Sequence, residues 1–136
     1  MNQGRVILDT DILSAIMRQN QLVIPKAQAY LEQYKKFTFS IITRYEILRG
    51  LKAKEANKQI QAFEQFCANN IIIPLTDEII VQAADIYAEL RKQGTPIGDA
   101  DILIAASAIV NGMAVITNNQ SHFRHIIGLT IDNWLV

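Results

Sequence analysis

VILDTDIL, residues Val6 to Leu13, is the stretch on which the fold turns. Val6, Ile7 and Leu8 make a short unbroken apolar run, the pattern of a buried strand. The run ends in two carboxylates only two residues apart, Asp9 and Asp11. Burying a carboxylate costs several kcal/mol unless something compensates it, so compensating chemistry is expected at that strand's end. Asp11 has a local explanation, because aspartate is a favoured N-cap and Ile12 and Leu13 follow at once. Asp9 has none, and is the residue expected to serve a site.

Outward from this strand, the chain alternates short apolar runs with helical periodicities. Phe37 to Ile41, Ile71 to Leu75, the AVIT stretch and the late LTIDNW are predicted strands. Ala27, Tyr30, Leu31 and Tyr34 share one helix face, and helices are predicted over 43–53, 55–69, 77–93 and 99–110. Strands of this length separated by helices indicate βαβ units and a parallel sheet covered on both faces, an α/β domain of four to five strands. At 136 residues, half of them apolar, a single domain over 1–136 is expected. Thirteen Lys and Arg against thirteen Asp and Glu give no net field to draw in a polyanion, so nucleic-acid binding would need a local patch. The lone Cys67 excludes an internal disulfide and suits a reducing compartment. No leader or membrane-length apolar segment is read, so a soluble, cytoplasmic protein is expected.

Ligands of open parallel sheets bind beyond the carboxyl ends of the strands, and this chain is polar at those corners. The first strand ends in Asp9 and Thr10, the second leads into Ser40, Thr43 and Glu46, and the fourth into Thr117, Asn118 and Asn119. Asp99 and Asp101 open the apolar helix before the fourth strand. Carboxylates converging in one crevice repel one another unless a cation lies between them. An all-oxygen donor set favours Mg²⁺ or Mn²⁺ over zinc, and such an ion suits phosphate-ester hydrolysis. Thr10, Thr117 and Asn119 could orient carboxylates or bound water. Competing local readings exist: Thr43 and Glu46 fit a capping box, and Asp99 could cap its helix. Asp101, ahead of ILIAASAIV, is harder to explain without a site. His122 and His125 are assigned to the surface. Arg44, Arg49, Lys52, Lys54 and Lys58 form a local positive excess, by default a solvated face and alternatively a phosphate contact that Arg91, Lys92 and Arg124 could extend.

These motifs, in this order, resemble those of PIN-domain ribonucleases of the VapC toxin type. LDTDIL resembles the opening motif and puts Asp9 in its acidic position. SIITRYEILRG resembles the second, which raises Glu46 above the cap reading. GTPIGDADILIAASA resembles the third, where the spacing to the Ile-Ala pair selects Asp101 and leaves Asp99 as an accessory acid. VITNNQSHF and the late LTIDNW resemble the fourth motif and the ending. The resemblance implies a three-layer α/β/α domain and Mg²⁺-dependent cleavage of RNA, with transfer or ribosomal RNA foremost. It also implies a homodimer and a small VapB-like antitoxin wrapped over the active-site groove. Asp9, Glu46 and Asp101 would hold the metal, with Mn²⁺ as a substitute. Thr10, Ser40, Thr43, Thr117 and Asn118 would stand around them, and Arg44, Arg49 and Lys52 would meet RNA. Many members carry a fourth acid where this chain has Asn119, so Asp99 supplies that charge, or one metal suffices, or Asn119 holds a water.

Three rival readings share parts of the pattern. A haloacid-dehalogenase-like phosphohydrolase acting on small phosphomonoesters also places Asp-x-Asp after its first strand, but it needs a lysine such as Lys92 and usually a cap domain. A phosphorylated receiver needs an acceptor aspartate after the third strand, where only Asp77 is on offer, and a lysine after the last, which is absent. A catalytically dead binding module would be consistent with Asn119.

Overall fold

The computed structural model describes residues 4–136. In chain order the elements are β1 (Val6–Leu8), α1 (Thr10–Met17), α2 (Ile24–Tyr34), β2 (Thr38–Ser40), α3 (Ile41–Ala53) and α4 (Asn57–Ala68). Then follow β3 (Ile71–Ile73), α5 (Asp77–Gln93), α6 (Asp99–Val110), β4 (Ala114–Ile116), α7 (Gln120–Phe123) and β5 (Ile131–Asp132). The strands pair in parallel in the order β3-β2-β1-β4-β5, as a five-stranded sheet.

Successive side chains of a strand point to opposite faces, and here both faces are filled. Val6 and Leu8 of β1, with Ala114 and Ile116 of β4, join a core built with α1 to α4 that includes Ile12, Phe39, Phe63 and Trp134. Ile7 and Val115, between them in sequence, join the opposite core with Ile79, Leu90 and Ile104 of α5 and α6. Each such fully buried side chain contributes roughly 1.5–3 kcal/mol through loss of apolar surface to water. The result is the three-layer α/β/α arrangement expected from the alternation of elements.

Boundaries differ from the sequence reading where caps were misassigned. The capping-box reading put the start of α3 at Thr43. Ser40 caps it instead, its Oγ accepting from the Ile42 N–H at 3.0 Å, so β2 ends there and Ile41 is already helical. The helix expected from residue 55 starts at Asn57 because Glu55 has a left-handed φ of 53°, which a helix cannot continue through. The third strand stops at Ile73, leaving Pro74 outside the ladder it could not donate to. Short α7 was not anticipated.

The topology fixes the crevice. From β1 the sheet grows through β2 and β3 on one side and through β4 and β5 on the other, so the switch point lies between the carboxyl ends of β1 and β4. Asp9 and Thr117 follow those two ends directly.

Candidate active site

Asp9 leaves β1 and at once becomes the N-cap residue of α1. One carboxylate oxygen accepts from the Thr10 N–H at 2.8 Å and the other from the Thr117 hydroxyl at 2.7 Å. The side chain is pinned by both strands of the switch point and is only 5% exposed. Burial pushes its pKa from the ordinary 3.8 up to about 7; the Asp11 and Asp101 charges push the same way, and the two hydrogen bonds oppose them.

Glu46 is brought in by the first turns of α3. Its Oε1 accepts from the Thr10 hydroxyl at 2.6 Å, and that hydroxyl is also 3.1 Å from the Thr43 Oγ1. Glu46 therefore faces α1 and the site instead of closing a capping box. Ser40 and Thr43 are fully buried beneath it.

Asp101 stands in the first turn of α6, its Oδ2 2.7 Å from the Nδ1 of His122 in α7. Asn119 reaches the same ring nitrogen through Nδ2 at 2.7 Å, while its backbone N–H donates to the Thr117 hydroxyl at 2.9 Å. Asp9, Thr10, Thr43, Glu46, Asp101, Thr117 and Asn119 thus form two connected networks around the switch point. Beside Thr10 and Glu46 a groove of about 440 Å³ runs between α1, α3 and α4, past Met17, Leu51 and the basic Arg18 and Lys54.

The sequence model of the PIN domain matches residues 6–128. The chain belongs to the PIN-domain family, among its VapC members. This PIN domain is 30% identical over 132 residues to Ribonuclease VapC2 of Haemophilus influenzae, which covers 96% of this chain and 98% of that protein. It is also 30% identical over 100 residues to a Salmonella typhimurium protein named tRNA(fMet)-specific endonuclease VapC, across 73% of this chain and 76% of the relative. The crystal structure of DNA-bound VapBC from Salmonella typhimurium matches it with a TM-score of 0.84 at 26% identity, over 96% of this chain and 98% of that one.

Several residues of the PIN domain stand elsewhere than the sequence suggested. Asp11 does not cap α1; that position is taken by Asp9 because the helix starts without an intervening turn. Asp11 lies inside the first turn, its Oδ2 accepting from the Asn118 N–H at 3.1 Å, and burial raises its pKa. Asn118 in turn accepts from the Asn133 side chain at 3.0 Å, tying the chain's end to the site. Asp99 does not cap α6, whose N-cap is Gly98; it is exposed in the first turn. Arg44 is paired with Glu64 of α4 at 2.7 Å and is not free for a phosphate. Arg49 lies 3.8 Å from Glu46 and packs over the Tyr45 ring, and Lys52 is exposed further along α3. His122 is exposed, as expected, but it also touches Asp101, a contact the sequence reading did not include. The signal that could have placed it is its spacing, five residues beyond Thr117 on the segment leaving the central strand.

Among the described residues, no three His, Cys, Asp or Glu side chains converge tightly enough to hold an ion as they stand, since Glu46 is drawn to Thr10. The donor set nonetheless fits a hard divalent cation. Asp9, Glu46 and Asp101 offer only oxygen, and burial of Asp9 near Asp11 and Asp101 opposes a negative charge that a cation would relieve. No helix among the described residues is long and apolar enough to cross a membrane.

Proposed function

We propose that this PIN domain is a divalent-metal-dependent endoribonuclease, with Mg²⁺ or Mn²⁺ as its ion, and the toxin of a pair with a VapB-like antitoxin. The observation that carries the reading is Asp9: a carboxylate 5% exposed, fixed through both oxygens at the switch point and pushed up to about 7 beside two further acids. Such a group is costly without a counter-charge and well placed with one. The names of the relatives, ribonuclease and tRNA endonuclease, support an RNA substrate, and the VapBC assembly supports an antitoxin partner.

Asp9, Glu46 and Asp101 would hold the ion. A divalent ion supplies Lewis acidity for phosphodiester hydrolysis, offsetting phosphate charge and making water a better nucleophile. The protein's part is orientation. Thr117 and the Thr10 N–H fix the two oxygens of Asp9, and the Thr10 hydroxyl holds Glu46 until it is needed. Asp99, exposed in the first turn of α6 two residues before Asp101, is the accessory acid, and Asn119 binds water where relatives place a charge. Arg49 and Lys52 of α3, with Arg18 and Lys54 along the groove, make the phosphate-facing surface. The RNA is a transfer or ribosomal RNA. The antitoxin lies over the same groove, and the protein works in the cytoplasm, where Cys67 stays reduced. Ile80, Val81 and Tyr87, exposed on α5, supply the contact of a homodimer. The haloacid-dehalogenase alternative is not favoured, because the chain belongs to a different family and Lys92 sits in the last turn of α5.

The test is incubation of a structured RNA pool with the purified, antitoxin-free protein in Mg²⁺, Mn²⁺ or chelator, alongside Asp9→Asn and Asp101→Asn. Metal-dependent cutting that each substitution lowers by at least about 100-fold is expected, in line with loss of a catalytic electrostatic group. RNA left intact by the folded wild type in every metal would overturn the reading.

A further inference from the structure

The segment from β4 into α7 touches two of the acids just named. Thr117 donates to the Asp9 Oδ2 at 2.7 Å, and five residues later His122 lies 2.7 Å from the Asp101 Oδ2. The segment is hydrogen-bonded to itself and anchored in the core between these contacts. Asn119 N–H donates to the Thr117 hydroxyl at 2.9 Å, His122 N–H donates to the Asn119 carbonyl at 3.1 Å, and Phe123 next to His122 is fully buried. An ionised carboxylate can only accept, so the contact with Asp101 requires the proton on Nδ1 of His122, whichever charge the ring carries. The same nitrogen then cannot accept from the Asn119 amide, which must present its oxygen or yield its place.

Resting on the reading of Asp101 as a metal ligand, we propose that His122 is a positioning residue. Its Nδ1–H fixes Asp101 Oδ2 and turns the other oxygen towards Asp9, so that one segment sets the spacing of the two carboxylates. The segment thereby keeps the site in order through the Nδ1 donor of His122. Asp101 is 21% exposed and would otherwise be free to change rotamer on the helix surface, at a cost in ordering when an ion arrives. Groups that hydrogen-bond a metal-binding carboxylate are commonly worth about 10- to 100-fold in metal affinity.

The experiment measures Mn²⁺ binding directly, by calorimetry and by the electron paramagnetic resonance of free Mn²⁺, on the full chain without RNA. The proteins are wild type, His122→Leu, His122→Asn and Asp101→Asn, each checked for an unchanged melting temperature in chelator. The Asn variant is informative because its Nδ2 donor stands where the imidazole Nδ1 stands, while leucine fills the space without a donor. We expect His122→Leu to weaken Mn²⁺ binding about 10- to 100-fold, and His122→Asn to recover most of it. Wild-type affinity in His122→Leu, or equal loss in both variants, overturns the positioning role. Mn²⁺ affinity unchanged by Asp101→Asn overturns the metal-site reading beneath it, an outcome separate from any result at His122.

Discussion

Asp9 terminates a strand, caps a helix and carries the most perturbed charge of the site, and these roles have a measurable consequence. In the unfolded chain the group ionises near 3.8; in the folded, metal-free protein it does so near 7. Between those values the folded state holds a proton that the unfolded state has lost, so stability falls as pH rises through that window. At about 1.4 kcal/mol per pH unit the loss is on the order of 4 kcal/mol at most, complete above pH 7. Chemical denaturation in chelator at pH 5 and pH 8 should show it. Asp9→Asn should flatten the difference, and millimolar Mg²⁺ should remove it in wild type alone. At this scale the sequence carried the three principal acids: an apolar run ending in Asp9, a glutamate spaced from Ser40, and Asp101 before an apolar helix. It misled at Asp11, and at His122 it gave the surface placement but not the contact with Asp101. A cap could not be told from a first-turn residue without knowing that the helix begins at Thr10, and the partner of His122 lies 21 residues away in sequence.

Helices α5 and α6 of the second layer were legible to the residue: α5 runs from Asp77 to Gln93, where its apolar spacing put it, and α6 from Asp99 to Val110, where the chain is apolar nearly all round. Termini decided by one hydrogen bond were not, because several polar residues compete for each cap. Ser40 won the start of α3, and the consequence is functional as well as local. Its hydroxyl sets the rotation of the first turn, hence the direction of Thr43 and Glu46 towards Thr10. Ser40→Ala should cost about 1–2 kcal/mol of stability, read as a shift of the urea midpoint without a change in slope. It should also slow RNA cleavage, whereas Thr76→Ala, which removes the equivalent cap of α5, should cost a similar stability and leave cleavage as it is.

For the whole molecule, the parallel sheet and its two covering layers followed from the alternation of strands and helices, but the strand order did not. Nothing in composition says that the fourth strand returns to pair with the first; the packing of Ile7 and Val115 on one face and of Leu8 and Ile116 on the other decides it. The second layer leaves Ile80, Val81 and Tyr87 of α5 outward, between 45% and 55% exposed. Ile80→Glu should convert the proposed dimer to monomer in sedimentation while the circular dichroism spectrum is retained. The order of the sheet has one more result. Asp9 and Glu46 precede α4 in the chain, but Thr117, which holds Asp9, and His122, which holds Asp101, come only after β4 and in α7. A nascent polypeptide that has emerged only as far as α6 lacks the pieces that hold the site together, so on the proposed function the translating ribosome and its RNAs are spared by their own product until β4 and α7 have followed.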